Sequence, residues 1–256
     1  MPAVFIGHGS PMNTIESNTY TEQWCSLSER LARPSAILAI SAHWYTNSTA
    51  VTAMSSPRTI HDFSGFPDEL FEYHYNAPGH PSLASRVQEL LAPIDVARDE
   101  HEWGLDHGTW SVLAHMYPDA DVPVVQLSIN ARASIDQHIA MGRALTPLTH
   151  EGVLVLGSGN VVHNLSRIQW NAGETGHEWA DRFDEAVATL MDADPASLGR
   201  ASEHPDWQAA APTPEHFLPL AYIAGIASES RVPVSRFNHS RTMGSLSMTS
   251  YITGPY

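Results

Sequence analysis

The sequence predicts an α/β protein, a single domain over residues 1–256 with a central mixed, largely parallel β-sheet flanked by helices on both faces. Three observations predict it. Strand-like and helix-like runs alternate along the chain, which argues for a largely parallel sheet covered on both faces. Three of the strand-like runs are apolar at every position, the pattern of a strand buried on both sides. Each of those three is followed by a histidine, at the carboxyl ends where open α/β sheets place their ligand crevice. With 256 residues and 43% hydrophobic content, the chain is long enough to bury one large core.

The first strand, at 3–6, runs Ala3-Val4-Phe5-Ile6 straight into Gly7-His8-Gly9-Ser10-Pro11. A helix is expected at 19–32. It contains the lone cysteine, Cys25, which reads as a small buried hydrophobe and has no partner for an internal disulfide. No cysteine-based zinc spacing exists, so a metal must be held by histidines and carboxylates. The second strand, Ala36-Ile37-Leu38-Ala39-Ile40, ends in Ser41-Ala42-His43-Trp44. A strand at 50–54, helices at 81–91 and 109–116, a strand at 123–128 and a helix at 134–148 follow. Val153-Leu154-Val155-Leu156 then leads into Gly157-Ser158-Gly159-Asn160-Val161-Val162-His163. Helices at 177–191 and 215–227 are joined by residues 192–214, whose Ala, Pro, Asp and Ser content predicts a long surface connection. Strand-like runs at 236–238 and 247–252 are able to extend the sheet in antiparallel fashion.

Charge narrows the function classes. The formal net charge is -15, and the 13 Lys and Arg residues are scattered. Phosphate contacts need clustered cations, so nucleic-acid and anionic-membrane partners are disfavoured. Nowhere do eighteen apolar residues run together, and the start has no basic region followed by an apolar one, so the expectation is a cytoplasmic protein, monomeric or a small homo-oligomer.

Fifteen histidines are too many for one site. His80, His101, His150, His177, His204 and His239 lie in polar or Gly/Pro-rich surroundings and read as solvated surface. His74 and His115 sit beside aromatics and methionine and read as half-buried, and His138 as an exposed helix position. His8, His43 and His163 differ because each follows a buried-strand pattern beside small residues that admit a ligand. His216 is the natural fourth member. Thr213, Pro214 and Glu215 read as the cap, first-turn proline and acidic residue of a helix start, which places His216 in the first turn. Glu215 competes with it, because two histidines and a carboxylate also make a facial iron site, and adjacent helical positions point about 100° apart.

The Gly-His-Gly-Ser-Pro start, Ser41-Ala42-His43-Trp44, His61-Asp62-Phe63-Ser64-Gly65-Phe66-Pro67, Gly104-Leu105-Asp106-His107-Gly108, Gly157 through Asn164 and Pro214-Glu215-His216-Phe217 together resemble the class III extradiol ring-cleavage dioxygenases. Within them the likeness is to the bacterial 4,5-DOPA extradiol dioxygenase branch of the LigB-like superfamily, and it spans nearly the whole chain. The resemblance implies metal ligands at His8, His43 and His216, an acid/base His163 near enough to count as a possible fourth ligand, and a His107 that touches substrate or oxygen. Protocatechuate-cleaving relatives place a glutamate at the third ligand position, which keeps Glu215 as the alternative to His216. The implied substrates are a small catechol, DOPA-like, and O2.

The residue types suit that chemistry. A catechol chelating Fe(II) through both oxygens, with O2 beside it, needs several open coordination positions, and three protein ligands on one face leave them. A nearby histidine can take a hydroxyl proton, since its unperturbed pKa of about 6.5 lies near working pH. Fe(II) is therefore the expected cofactor, although Zn(II), which is redox-inactive, is able to occupy the same site in isolated protein. Ser10 and Asn160 are candidate substrate-binding residues. Together with Asn13, Asn164 and Asp106 they equally fit ordinary turn and cap roles. Trp44, Phe63, Phe66 and Trp110 read as core or as walls for an aromatic substrate. A zinc hydrolase is the alternative, but His177-Glu178 lacks the second histidine of a His-Glu-x-x-His pair, and neither Ser10 nor Ser158 sits in a Gly-x-Ser-x-Gly elbow. A non-catalytic binding protein on the same fold is a third class that motifs do not separate; oxygen dependence separates all three.

Overall fold

The computed structural model describes residues 1–254. Its strands are β1 (Ala3–Gly7), β2 (Ala36–Thr46), β3 (Thr49–Thr52), β4 (Val96–Asp99), β5 (Val124–Asn130), β6 (Val153–Gly159), β7 (Val234–Phe237), β8 (Arg241–Thr242), β9 (Leu246–Ser247) and β10 (Ser250–Thr253). Eight of them form one sheet in the order β4-β3-β5-β2-β6-β1-β10-β7, and β8 pairs with β9. The centre is parallel: β6 lies between β1 and β2, and β2 continues to β5. Antiparallel pairings of β1 with β10 and β10 with β7 add the tail strands to one side, as the sequence suggests. Because β1, β6 and β2 are adjacent and parallel, the segments that leave their carboxyl ends emerge side by side.

Alternate residues of the central strands feed two cores. Val4, Ile6, Ile37, Ala39, Leu154 and Leu156 face α1 (Thr19–Arg30) and its neighbours, where Trp24 and Leu27 are fully buried. Burying each such side chain contributes about 1.5–3 kcal/mol. Phe5, Leu38, Ile40, Val125, Leu127 and Val155 face the other layer. After α2 (Asp68–Glu72), that layer contains α3 (Pro81–Leu91), while α4 (His107–Met116) returns to the first core through Trp110 and Leu113. The second layer is completed by α5 (Ile135–Leu145), α6 (Pro147–His150), α7 (Glu178–Ala193), α8 (Trp207–Ala210) and α9 (Leu218–Ser230). No helix among the described residues is long and apolar enough to cross a membrane.

The structure corrects several expectations. Strand β2 runs on to Thr46 with a register shift between Ile40 and Tyr45, so His43 lies inside an irregular strand rather than beyond its end. Residues 192–214 are not a plain surface connection: they hold a 3-10 helix, Pro195–Glu203, and α8, and they bury Leu198, Ala201 and Ala210. The helix expected at 134–148 is broken at Pro147, which starts α6. Helix α9 begins at Leu218, with Pro219 as its first-turn proline, so Glu215 and His216 stand in the preceding turn, where the Pro214 carbonyl accepts from the Phe217 and Leu218 amides.

Among the other histidines, His138 is fully buried, not exposed. Helices α5 and α9 approach closely because Gly142 has no side chain; a Cβ there would sit 2.2 Å from the Tyr222 carbonyl oxygen. The His138 Nδ1 and the Tyr222 hydroxyl lie 3.0 Å apart in this seam, and burial pulls the imidazole pKa down to about 4. His74 is exposed rather than half-buried. His80, His177 and His204 are half-buried, because each is hydrogen-bonded to a backbone group of its own turn or of a neighbouring loop. Cys25 is half-buried, its Sγ 4.0 Å from His115 Nδ1.

Gly159 ties the sheet to the turn that bears His216: a Cβ there would lie 2.1 Å from the His216 carbonyl oxygen, which accepts from the Asn160 amide at 2.8 Å. Gly159→Ala is therefore expected to cost about 1–3 kcal/mol of stability. Urea unfolding should show a lower midpoint at unchanged slope, and an unchanged midpoint would contradict this account of the close approach.

Candidate active site

His8 follows β1 directly, its amide bound to the Gly159 carbonyl at 3.0 Å, its carbonyl held by Asn13 Nδ2 at 2.9 Å. The ring is buried, and Nδ1 lies 2.9 Å from Ser158 Oγ. Ser158 gives its single hydroxyl proton to the Gly108 carbonyl at 2.5 Å. It must therefore accept from His8 Nδ1–H, which leaves the lone pair of His8 on Nε2. His43 repeats the arrangement: its Nδ1 is 3.1 Å from Asp62 Oδ2, so Nε2 again bears the lone pair of the neutral ring. The two Nε2 atoms are 3.3 Å apart. Two lone pairs at that distance repel unless a proton or a metal cation lies between them.

Asp62 serves two histidines. Its Oδ1 accepts from the His107 amide at 3.0 Å and from His107 Nδ1 at 2.9 Å, while Oδ2 takes His43. The carboxylate is turned inward, with 17% of its side chain exposed. Burial alone would raise its pKa, but the hydrogen bonds from His107 and His43 hold it well below the usual carboxylate range. His107 opens α4, whose N-cap is the buried Asp106, accepting from the Thr109 amide at 3.1 Å. Asp106 also accepts from Ser41 Oγ at 2.7 Å and from Gln126 Nε2. It thus ties the middle of β2 to the start of α4 and makes no hydrogen bond to an imidazole.

On the opposite side, His216 Nδ1 lies 3.3 Å from Glu215 Oε1, which also accepts from Thr213 Oγ1 at 2.7 Å. His163 stacks on His216, with ring centroids 3.5 Å apart and planes 4° from parallel. The His163 backbone is pinned by its amide to the Ala210 carbonyl. Burial, with the neighbouring imidazoles, drives the pKa values of His8 and His216 well down and that of His163 to about 4. His107 is lowered for the same reasons. His43 alone is raised: burial opposes its charge, but the Asp62 hydrogen bond and the Asp106 carboxylate outweigh burial. The cluster is thus a set of mostly neutral imidazoles, the form that ligates metals.

One ligating atom from each of His8, His43 and His107 lies within 4.8 Å of the others, and so do one each from His163, Glu215 and His216. The groups abut, since the His216 ring centroid is 5.5 Å from that of His8 and 5.1 Å from that of His43. The all-imidazole donor set with an adjoining carboxylate fits a divalent transition metal. All five histidines line a cavity of about 500 Å³, within the usual size of a small-molecule site.

Ser10, Phe63 and Phe66 line the same cavity. Asn160 does not: its Nδ2 binds the Ser247 carbonyl, and its Oδ1 is buried without a partner. Asn13 and Asn164 hold backbone groups, Trp44 stacks on Trp103, and Trp110 is core, its Nε1 on the Ile60 carbonyl. Nothing in the His61-to-Pro67 motif itself marks Asp62 as the partner of both His43 and His107. The apolar mouth formed by Leu165, Ile168, Trp170, Met243 and Leu246 carries no periodicity either, because these residues come from a single-turn 3-10 helix, loops and a short strand.

Comparisons with known proteins agree with this geometry. The family model described as the catalytic LigB subunit of aromatic ring-opening dioxygenase matches residues 3–250. The chain is 49% identical over 258 residues to an Escherichia coli (strain K12) protein named 4,5-DOPA dioxygenase extradiol, covering 99% of this chain and 95% of that one. It is 39% identical over 236 residues to the Beta vulgaris protein of the same name, covering 88% and 87%. A crystal structure of an uncharacterised protein from Escherichia coli K12 superposes with a TM-score of 0.87 at 44% identity, covering 99% of this chain and 100% of that one.

Asp62→Asn keeps the shape but can accept through only one oxygen, so His43 and His107 can no longer both keep their Nδ1–H tautomers. Loss of such a supporting carboxylate typically costs about 10–100-fold in metal affinity or activity. Metal titration of the variant should show that loss with the thermal transition little changed; wild-type affinity would remove Asp62 from the site.

Proposed function

Since the chain belongs to the LigB family of extradiol ring-opening dioxygenases, we propose that it opens a DOPA-like catechol with O2, using Fe(II) held by His8, His43 and His216. It is an oxidoreductase of the 4,5-DOPA dioxygenase type. The observation that carries the metal assignment is the pair of Nε2 atoms of His8 and His43 facing one another at 3.3 Å. A pattern supports the third ligand. His8, His43 and His216 each have Nδ1 beside an oxygen acceptor, on Ser158, Asp62 and Glu215 respectively, as metal-bound imidazoles usually do. On this assignment Glu215 orients His216.

When bound, Fe(II) supplies the electron transfer between catechol and O2 that zinc does not. The protein supplies positioning and proton transfer. Burial holds His163 neutral at working pH beside the proposed metal ligand His216, so it takes a catechol hydroxyl proton and later returns it as the O–O bond breaks. His107 is neutral at rest, its Nδ1–H on Asp62, and therefore presents an acceptor to the cavity. Protonated there by the second catechol hydroxyl, with the adjacent Asp62 carboxylate supporting the resulting imidazolium, it becomes a donor to the developing negative charge on oxygen, so its role is sequential rather than that of a fixed donor. Phe63 and Phe66 offer apolar faces to the substrate ring, and Ser10 stands at the edge, its Oγ accepting from the Met12 amide.

Metal content per chain separates these roles. His8→Ala and His43→Ala are expected to abolish metal binding, and His216→Ala to lose more metal than Glu215→Ala; the reverse order would transfer the ligand role to Glu215. His163→Ala should keep most of the metal and lose about 10²–10⁴-fold in turnover. Loss of metal together with activity would instead make His163 a fourth ligand.

A further inference from the structure

Asp106 is fully buried, and both of its carboxyl oxygens meet donors: Ser41 Oγ at 2.7 Å, the Thr109 amide at 3.1 Å and Gln126 Nε2. Gln126 is held in that orientation, because its Oε1 accepts from Thr109 Oγ1 at 3.1 Å and from the Asp106 amide at 3.3 Å. The group is therefore a carboxylate. Its three donors are neutral, so a net negative charge stays in the interior, where it is costly and acts on its neighbours with little screening. Those neighbours belong to the histidine cluster. Ser41 Oγ, which donates to Asp106, accepts from the His43 amide at 3.3 Å. A Cβ at Gly108 would lie 2.5 Å from Ser41 Oγ, 2.8 Å from His43 Cδ2 and 3.3 Å from Asp106 Oδ1, so carboxylate and imidazole face each other across the space that glycine leaves. The Gly108 carbonyl in turn accepts from Ser158, which orients His8.

We propose that Asp106 is the buried counter-charge of the metal centre, stabilising a cation at His8 and His43 through space while its hydrogen bonds fix where the His43 backbone stands. The inference rests on the metal reading of the cluster and adds a residue to it. Asp62 and Glu215 act on imidazoles through hydrogen bonds, whereas Asp106 is a positioning residue that acts by charge. A helix cap needs only an oxygen acceptor, which serine or threonine supplies without burying a charge. A buried anion at this cap is accounted for by the cation it faces. Its charge also favours the higher oxidation state of a bound metal over the lower.

Zn(II) titration of the full chain tests the charge without turnover. Asp106→Asn removes the charge and keeps the shape, and Zn(II) affinity should fall about 10–100-fold. In the double variant Asp106→Asn with Gln126→Glu, the new amide donates to the new carboxylate, so the hydrogen bonds stay and the charge moves to the adjoining side chain. Affinity should then return to within about threefold of wild type. With iron bound, the Fe(III)/Fe(II) midpoint potential should rise in the single variant and fall back in the double, because Fe(III) loses more than Fe(II) when a negative charge leaves. A cap with a purely structural role would not separate the two oxidation states. Asp106→Ser, which keeps a capping oxygen and drops the charge, should show the same loss of affinity if the asparagine variant does not fold. Wild-type affinity in the single variants, or a loss that the double variant does not reverse, would overturn the counter-charge. Failure of the wild-type chain itself to bind Zn(II) would overturn the metal reading on which it rests.

Discussion

The site depends on burying imidazoles whose outer nitrogens already have hydrogen-bond partners. Ser158, Asp62 and Glu215 sit against Nδ1 of His8, His43 and His216, and Asp62 also holds His107. With those nitrogens committed, the remaining lone pairs turn inward. Burial makes protonation costly for His8, His107, His163 and His216, so repulsion among inward lone pairs cannot be relieved by protonating every ring. A divalent cation relieves it, and the fold maintains that demand instead of collapsing the cluster.

The sheet explains how residues so far apart in sequence meet. Strand β6 lies between β1 and β2 in parallel, so the segments beyond Gly7, within the irregular end of β2 and beyond Gly159 converge without long loops. Asp106 then joins the frame to α4: it caps the helix that begins with His107 while accepting from Ser41 on β2. Displacing either element would move His43 and His107 together, because Asp62 binds both.

Much of this was legible in the sequence because buried parallel strands read as unbroken apolar runs, and Val4, Leu38 and Val155 lie in the cores where such runs belong. The convergence of His8, His43 and His163 followed from the same runs. What was not legible depended on tertiary contacts. Asp62 is in a loop, and only the fold shows that its two oxygens face histidines on different elements. His138 reads as exposed until α9 packs against α5 at Gly142. The turn at Glu215 and His216 resembles a helix start because Thr213 and Pro214 mimic a cap, while the actual first-turn proline is Pro219. The hollow lined by Ser10, Glu16, Phe66, Trp170 and Met243 joins residues from both ends of the chain and has no local signature.

The most direct test of the central claim is oxygen uptake by protein loaded with Fe(II) under anaerobic conditions and then given a catechol in air. Consumption of one O2 per catechol is predicted, with a coloured conjugated semialdehyde as product and no uptake when one of the two hydroxyls is methylated or zinc replaces iron. Full Fe(II) occupancy at the histidine cluster with no oxygen consumed on any catechol would contradict it.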